Sequence, residues 1–428
     1  MTKRRWTILL AAILLGVGLL WLVLGREPIQ EGRCRLKLKR VGQPGGLTGI
    51  AYRFLDRPTS DSNGIRDLPE GFDKPYYYRV RANDAEIALV VNGTNPWTLC
   101  LDTDQDGLLS NEKLFQGKIR QIRDWGKDQR HYLFGPVELA LPDESSARTT
   151  RFWLLGSRMD VAGQHVTELP RVFAIYPAGY RTGRLRIQGQ AYNVAILDGD
   201  YDGLFSPVDL AKRDHMRRPV CDYFAIDLDK NGTFEQDLYQ RNETRPLGRL
   251  VLLGGVYYAI DISGNGQELA LWPIDPERGT LILDHADCEI QCRLWSDAAD
   301  QWMTVPAGQK ELSLPVGKYS MARVIVRAAD ASGSTLEAAC TRDFGTLSLF
   351  EVKAGETTRL DIGPPFTCTP RVAKTDDGTV SIEPILTGRA GEEYSIIVKR
   401  NGKSVPAPAM TIVDEKGTVL ETGKFEYG

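Results

Sequence analysis

Histidine is scarce in this chain: four residues, at 131, 165, 215 and 285, are scattered over 428 positions. The sequence also lacks a Gly-x-Ser-x-Gly elbow, a His-Glu-x-x-His helix, a phosphate-cradling glycine loop and a dinucleotide fingerprint, so no familiar catalytic class announces itself. An excess of either charge is missing too. With 53 Lys and Arg against 56 Asp and Glu, and no basic stripe, no nucleic-acid partner is expected. Beyond the first 25 residues sustained helical periodicity is absent, so the body is expected to be mainly β. The seven cysteines, at 34, 100, 221, 288, 292, 340 and 368, cannot all pair within one chain. Cys100 and Cys221, in strand-like apolar segments, read as buried thiols. Cys288 and Cys292 lie four apart on one strand face, too far for an easy mutual bond, which makes Cys340 or Cys368 the expected partner. Zinc lacks a second ligand pair, leaving His285 near Cys288 as a lone candidate.

What is present is acidic and repetitive. One loop reads Asp198-Gly-Asp-Tyr-Asp-Gly-Leu-Phe-Ser-Pro-Val-Asp209, another Asp227-Leu-Asp-Lys-Asn-Gly-Thr-Phe-Glu-Gln-Asp237, and a third Asp102-Thr-Asp-Gln-Asp-Gly-Leu-Leu-Ser-Asn-Glu112. A worn copy follows at Asp261-Ile-Ser-Gly-Asn-Gly266. A single Asp-x-Asp-x-Asp-Gly can be a solvated acidic turn, because Asp, Asn and Gly dominate turns. Four copies argue against accident. Oxygens at positions 1, 3 and 5, a glycine at 6 and a carbonyl at 7 are the spacing by which a calcium ion collects its six to eight oxygen ligands.

These loops resemble those of EF-hand and dockerin proteins, and the resemblance covers the loops alone. It implies calcium as cofactor. The implied ligands are Asp198, Asp200, Asp202, the Leu204 carbonyl and Asp209 in one loop. In a second they are Asp102, Asp104, Asp106, the Leu108 carbonyl and Glu112, and in a third Asp227, Asp229, Asn231, the Thr233 carbonyl and Asp237. Only Asp209 occupies position 12; Lys113 and Leu238 stand there in the other two, with Glu112 and Asp237 one place early. Affinities of about 0.1–1 mM are expected.

The flanks are not EF-hand flanks. Arg184-Leu-Arg-Ile-Gln alternates, breaks at Gly189 and alternates again to Ile196, which is a hairpin running into the Asp198 loop. Gly183-Arg-Leu-Arg-Ile-Gln-Gly-Gln-Ala-Tyr192 matches Gly248-Arg-Leu-Val-Leu-Leu-Gly-Gly-Val-Tyr257 without a gap, an internal repeat. A third hairpin, Glu86 to Leu101, precedes the Asp102 loop. Ser206-Pro-Val-Asp-Leu-Ala-Lys is expected to form a short helix.

Lys3-Arg-Arg5 precede nineteen uncharged residues, Thr7 to Gly25, which as a helix span about 28 Å, enough for a transmembrane anchor. A signal peptide is the rival, although its apolar region is usually shorter and no small-x-small cleavage site follows. The basic residues from Arg26 to Arg40 argue for the opposite orientation. Millimolar-type loops, however, would be empty in a cytosol poor in free calcium, so the body is expected to be extracytoplasmic, in the periplasm or at the cell surface, on a single-pass anchor.

The expected architecture is an N-terminal transmembrane helix followed by β-hairpin or sandwich modules with calcium loops and one or two C-terminal immunoglobulin-like β-sandwiches. The boundaries run 1–28 tail and anchor, 29–76 irregular linker, 77–148 module with the first loop, 149–275 module with repeated hairpin-loop units, 276–363 sandwich, and 364–428 a further β unit. The 276–363 part is weakly similar to transthyretin-like, carboxypeptidase-regulatory domains through Pro315-Val-Gly-Lys-Tyr319. The last unit, about 65 residues against the ~100 of an immunoglobulin-like sandwich, reads as minimal or incomplete. Two functions follow: a calcium-binding structural or adhesive protein with a protein or carbohydrate ligand, or a calcium-stabilised hydrolase, on carbohydrate for instance, with a carboxylate pair invisible in sequence.

Overall fold

The computed structural model describes residues 30–425, except 50, 52, 56–61, 63, 74, 83–84, 94–96, 125–126, 142–147, 159–171, 213–219, 235–242, 285–287, 300, 307, 341–342, 375–378 and 396. The apolar run at 7–25, His165, His215, Asp237 and His285 lie outside the described residues. Among the described residues no helix is long and apolar enough to cross a membrane. The chain is mainly β, and its helical content among those residues is two short 3-10 turns, Gly46–Gly49 and Gly345–Ser348.

Three pairs of sheets each enclose a core. In the first, four strands from Pro75–Ala82 to Leu114–Gln116 face five strands that include Lys127–Leu141, Arg148–Arg158 and Val172–Pro177. Alternate residues of both sheets, such as Ile87, Leu89 and Val91 opposite Phe134, Phe152 and Phe173, are buried together. Period-two burial is what a strand with one wet face requires. The strand Arg148–Arg158 is the antiparallel partner of Lys127–Leu141. The first module therefore runs through Pro177, and a boundary at 148/149 would divide its sheet.

The second sandwich holds the internal repeat. Gly179–Ile187 pairs with Gln190–Leu197, and Leu250–Leu253 pairs with Val256–Ile262. Both hairpins turn on two residues of positive φ, Gln188-Gly189 (49° and 76°) and Gly254-Gly255 (56° and 83°). That is the twist of a type I′ turn, which matches the right-handed twist of the flanking strands. The two hairpins lie in different sheets and bury Leu185, Val194 and Ile196 against Val251, Leu253 and Tyr258. Part of the expected linker belongs here as well: Arg33–Arg35 is the edge strand beside Glu268–Ile274, and Lys37–Arg40 the edge strand beside Gly179–Ile187. Short basic strands on an edge look irregular in sequence because they have only one neighbour and little to bury.

The third sandwich sets Arg278–Asp284, with Glu311–Pro315 and Thr357–Asp361 beside it, against a longer sheet built on Glu289–Ser296 and Gly317–Ala329. The expected second immunoglobulin-like unit is not a sandwich of its own. Thr367–Lys374, Val380–Thr387 and Glu393–Tyr394 continue the longer sheet, and Tyr394 and Ala390 bury in the third core. The last two strands, Ala409–Val413 and Val419–Lys424, form a separate, largely exposed hairpin. None of the seven cysteines is in a disulfide, which corrects the expected pairing of Cys288 or Cys292. Cys340 is separated from Cys292 by the strand carrying Val324, about 9–10 Å at two strand spacings. Cys368 is exposed on a different strand. The short helix expected from Ser206 is absent: residues 205–209 have no regular secondary structure and a single turn follows at 210–211.

Candidate metal centres

Each aspartate loop begins where a strand leaves its sheet: Thr98–Leu101 before Asp102, Gln190–Leu197 before Asp198, and Tyr223–Ile226 before Asp227. From there the three backbones follow one plan. The first aspartate accepts the N–H of the glycine at position 6, at 3.2 Å for Gly107, 3.1 Å for Gly203 and 3.1 Å for Gly232. The residue at position 3 accepts from the N–H of position 5: Asp104 from Asp106, Asp200 from Asp202, Asp229 from Asn231. Position 5 accepts from the N–H of position 7, Leu108, Leu204 and Thr233, at 2.7 Å in all three. Position 4 is left-handed despite its side chain: Gln105, Tyr201 and Lys230 have φ of 59°, 65° and 59°. Those conformations cost roughly 1–2 kcal/mol each, so their recurrence at one position marks a shared geometry.

A further carboxylate from outside positions 1, 3 and 5 stands at each loop, and strand pairing sets where it comes from. Cys100 is opposite Leu114, so extending that ladder two residues brings Asp102 opposite Glu112. Leu197 is opposite Tyr223, which brings Asp198 opposite Asp222. Ala225 is opposite Thr244, which sets Glu243 beside Ile226 at the mouth of the Asp227 loop. All three carboxylates accept backbone N–H groups near the start of the loop. Glu112 takes Thr103 and Asp104, Asp222 takes Gly199 at 3.1 Å, and Glu243 takes Leu228 at 2.7 Å and Asp229 at 3.1 Å.

Carboxylate oxygens within 4.8 Å of one another then form three groups: Asp102, Asp104 and Asp106; Asp198, Asp200 and Asp222; Asp227, Asp229 and Glu243. Asp222 and Glu243 were not visible in the loop pattern, since they stand beyond the 12-residue template. Asp209, expected as the twelfth ligand, is instead exposed, with its Oδ1 accepting from Ala211 N at 3.0 Å. Asp202 and Asn231 keep their position-5 roles. The worn copy has left the plan: Asp261 is a strand residue opposite Ala270, and only the contact of Asn265 with Gln267 N survives.

Two oxygens are left over. Asp198 Oδ2 is occupied by Gly203 N and by the Thr150 hydroxyl at 3.3 Å, while Asp198 Oδ1 is buried without a partner. Asp227 Oδ2 is occupied by Gly232 N and by Asn193 Nδ2 at 2.8 Å, while Asp227 Oδ1 is buried without a partner. Asp227 is 1% exposed and so is Asp222. A buried, unmatched carboxylate oxygen costs free energy that a cation would recover. The groups contain neither histidine nor cysteine, and an all-oxygen set favours a hard divalent ion.

Burial and mutual repulsion push the carboxyls up. Asp198 rises by desolvation and then by Asp200 and Asp202, Asp200 by desolvation and then Asp202, and Asp222 by desolvation and then Asp200 and Asp198. Asp102 and Glu243 are raised chiefly by desolvation. In each case the folded state holds a proton that the unfolded state has released, so stability falls as pH rises above about 4, the ordinary carboxylate value, and continues to fall towards neutrality. Denaturation between pH 5 and 8 in excess chelator should therefore show decreasing stability with pH, and 1 mM calcium should remove the decline. A flat profile in chelator would mean that the loops carry no stored repulsion.

Compared with known proteins, the chain matches no family model, no curated protein and no solved structure.

The Asp198 loop is also a joint. Tyr201 at its position 4 is fully buried in the first core, edge-on to Phe152, and its hydroxyl lies 3.0 Å from the carbonyls of both Ala51 and Ile175. Val208 and Leu210, just beyond the loop, pack with Trp295 and Ala322 of the third sandwich. One segment thus touches the first core through Tyr201, the second through Phe205, and a separate apolar cluster on the strands of the third sandwich.

Proposed function

We propose that this is a membrane-anchored, extracytoplasmic calcium-binding protein whose role is structural, adhesive or ligand-binding, with the ions holding its β modules in register. The observation that carries the reading is the pair of orphaned buried oxygens, Asp198 Oδ1 and Asp227 Oδ1, each at the meeting point of converging carboxylates. The likeness of the loops to EF-hand and dockerin loops favours calcium over other hard ions. The hydrolase alternative asks for two carboxylates outside the loops in one cleft. The cavity beside the Asp198 loop offers Glu138 and the loop's own Asp198, which does not favour it.

Calorimetric titration of the full chain should reveal calcium sites, with up to three in the range of about 0.1–1 mM. At a dissociation constant of about 0.1 mM and 1 mM free calcium, each site adds roughly 1.4 kcal/mol by mass action. Melting curves in calcium and in chelator should then differ by several degrees. Superimposable curves would return the loops to acidic turns.

The topology has its own test. Protease added to intact cells or spheroplasts should digest the body; protection until lysis would show that the basic residues after Gly25 set the opposite orientation.

A further inference from the structure

A cavity of about 260 Å³ lies where the first and second sandwiches meet, and the Asp198 loop forms part of its wall. Arg151 comes from the first sandwich, and Arg40 and Arg181 come from neighbouring strands of the second. Among the described residues none of these three guanidiniums is in an ion pair, although Glu138 lies directly across the ladder from Arg151. Arg151 Nε is buried without a hydrogen-bond partner, and Arg181 has lost part of its hydration to burial, which lowers its pKa. Cations held partly dry and unpaired are costly, and the natural compensation is an anion. Tyr180 and Phe205 give the cavity apolar surface, Thr149 adds a hydroxyl, and the turn at Asn265 closes one side. The worn fourth loop has lost its cation plan and become a wall of this cavity.

Charge decides what the cavity accepts. Three arginines, Glu138 and the loop acids Asp198, Asp200, Asp202 and Asp222 sum to −2 when all are ionised, and a divalent ion in the loop brings that sum to zero, which removes the net repulsion of an anion. The volume lies just below the ~300–1,000 Å³ typical of pockets for drug-sized ligands, so the occupant is small. We propose that the cavity binds a small carboxylate-bearing ligand, its carboxylate held by Arg151 and Arg181, and that a cation in the Asp198 loop strengthens the binding. Arginine is suited to this because its planar fork matches a carboxylate with two parallel hydrogen bonds. The second half of the proposal rests on the calcium reading, and the first does not. Both sites share Asp198, which couples them, and linkage makes the coupling reciprocal: the ligand should tighten calcium by the same factor as calcium tightens the ligand.

The test titrates the full chain with glucuronate, succinate and inorganic phosphate, each in 1 mM calcium and in excess chelator, with calcium binding measured separately. Saturable glucuronate or succinate binding in calcium, weakened about fivefold or more in chelator, is expected. Preference between the two distinguishes a sugar acid from a plain di-acid. Arg181→Gln should weaken the carboxylate at least about tenfold while the calcium isotherm is retained, and the exposed Arg40→Gln should weaken it less. No binding by any of the three, tighter binding of phosphate than of both carboxylates, or an unchanged isotherm in Arg181→Gln and Arg151→Gln chains that still bind calcium would overturn the cavity assignment. Equal carboxylate affinity with and without calcium would overturn the coupling alone. Absence of calcium binding with carboxylate binding intact would remove the calcium reading and leave the cavity standing.

Discussion

An Asp222→Asn chain loses most of its cation affinity at the Asp198 loop, whereas Asp209→Asn leaves that affinity unchanged. Asp222 is 1% exposed, and its two oxygens accept Gly199 N and Ser206 N at 3.1 and 2.9 Å while facing Asp198 and Asp200. An asparagine there offers one acceptor and presents its amide hydrogens to a backbone donor, so one end of the loop loses its tie and the ion loses a charge. Residues that orient or complete an ion's shell are commonly worth 10–100-fold in affinity, so the site should weaken by about that factor. Asp209 stands in solvent, tied to Ala211, and its removal should register in local turn stability alone. Site-resolved titration of both chains decides the matter. Equal loss in the two, or loss only with Asp209, would restore the 12-residue template and dismiss the register-closed geometry.

The second large effect belongs to Tyr201. Truncation to alanine removes a fully buried ring from the first core while leaving a non-glycine residue at φ 65°, and large aromatic-to-alanine changes in cores cost about 3–5 kcal/mol. Phenylalanine keeps the ring and deprives the Ala51 and Ile175 carbonyls of their donor, for roughly 1–3 kcal/mol. Because the ring and the proposed cation site share one loop, Tyr201→Ala should weaken calcium binding as well, and chelator should accentuate its instability. Chemical denaturation followed by tryptophan fluorescence, with and without calcium, measures both. A cost below about 1 kcal/mol for the alanine chain would show that the loop does not tie the first sandwich to the second.

Much of this was legible along the chain because it is local. The Gln188-Gly189 and Gly254-Gly255 turns, the alternation of the strands around them and the Asp-x-Asp-x-Asp-Gly spacing all involve residues within a few positions of each other. Their geometry follows from φ preference and period-two burial. What lay out of reach is set by pairing between distant strands. Asp222 reads as an isolated acid after Cys221 until Tyr223–Ile226 is laid against Gln190–Leu197. Lys37–Arg40 reads as a basic linker until it is seen against Gly179–Ile187. Thr367–Lys374 is exposed along its whole length and Val380–Thr387 only half-buried, and nothing local reveals that their sheet begins in the preceding module. Tyr201 shows the same limit: a tyrosine among aspartates looks solvent-facing, and its burial depends on a core built by another part of the chain.

A site closed by strand pairing is indifferent to chain length. From first aspartate to closing acid the separations are ten, twenty-four and sixteen residues, yet each closing carboxylate accepts an N–H at position 2 of its loop. In the longest of the three, Val220 N donates to Lys212 O at 3.0 Å, so the chain leaves and re-enters at nearly one point. Foreign sequence spliced between Lys212 and Val220 would begin and end at that clasp and add no strain to the ligands on either side. The fold thus carries a graft position next to the proposed ion site, where an inserted module would sense occupancy of that site, were an ion bound, through the clasp.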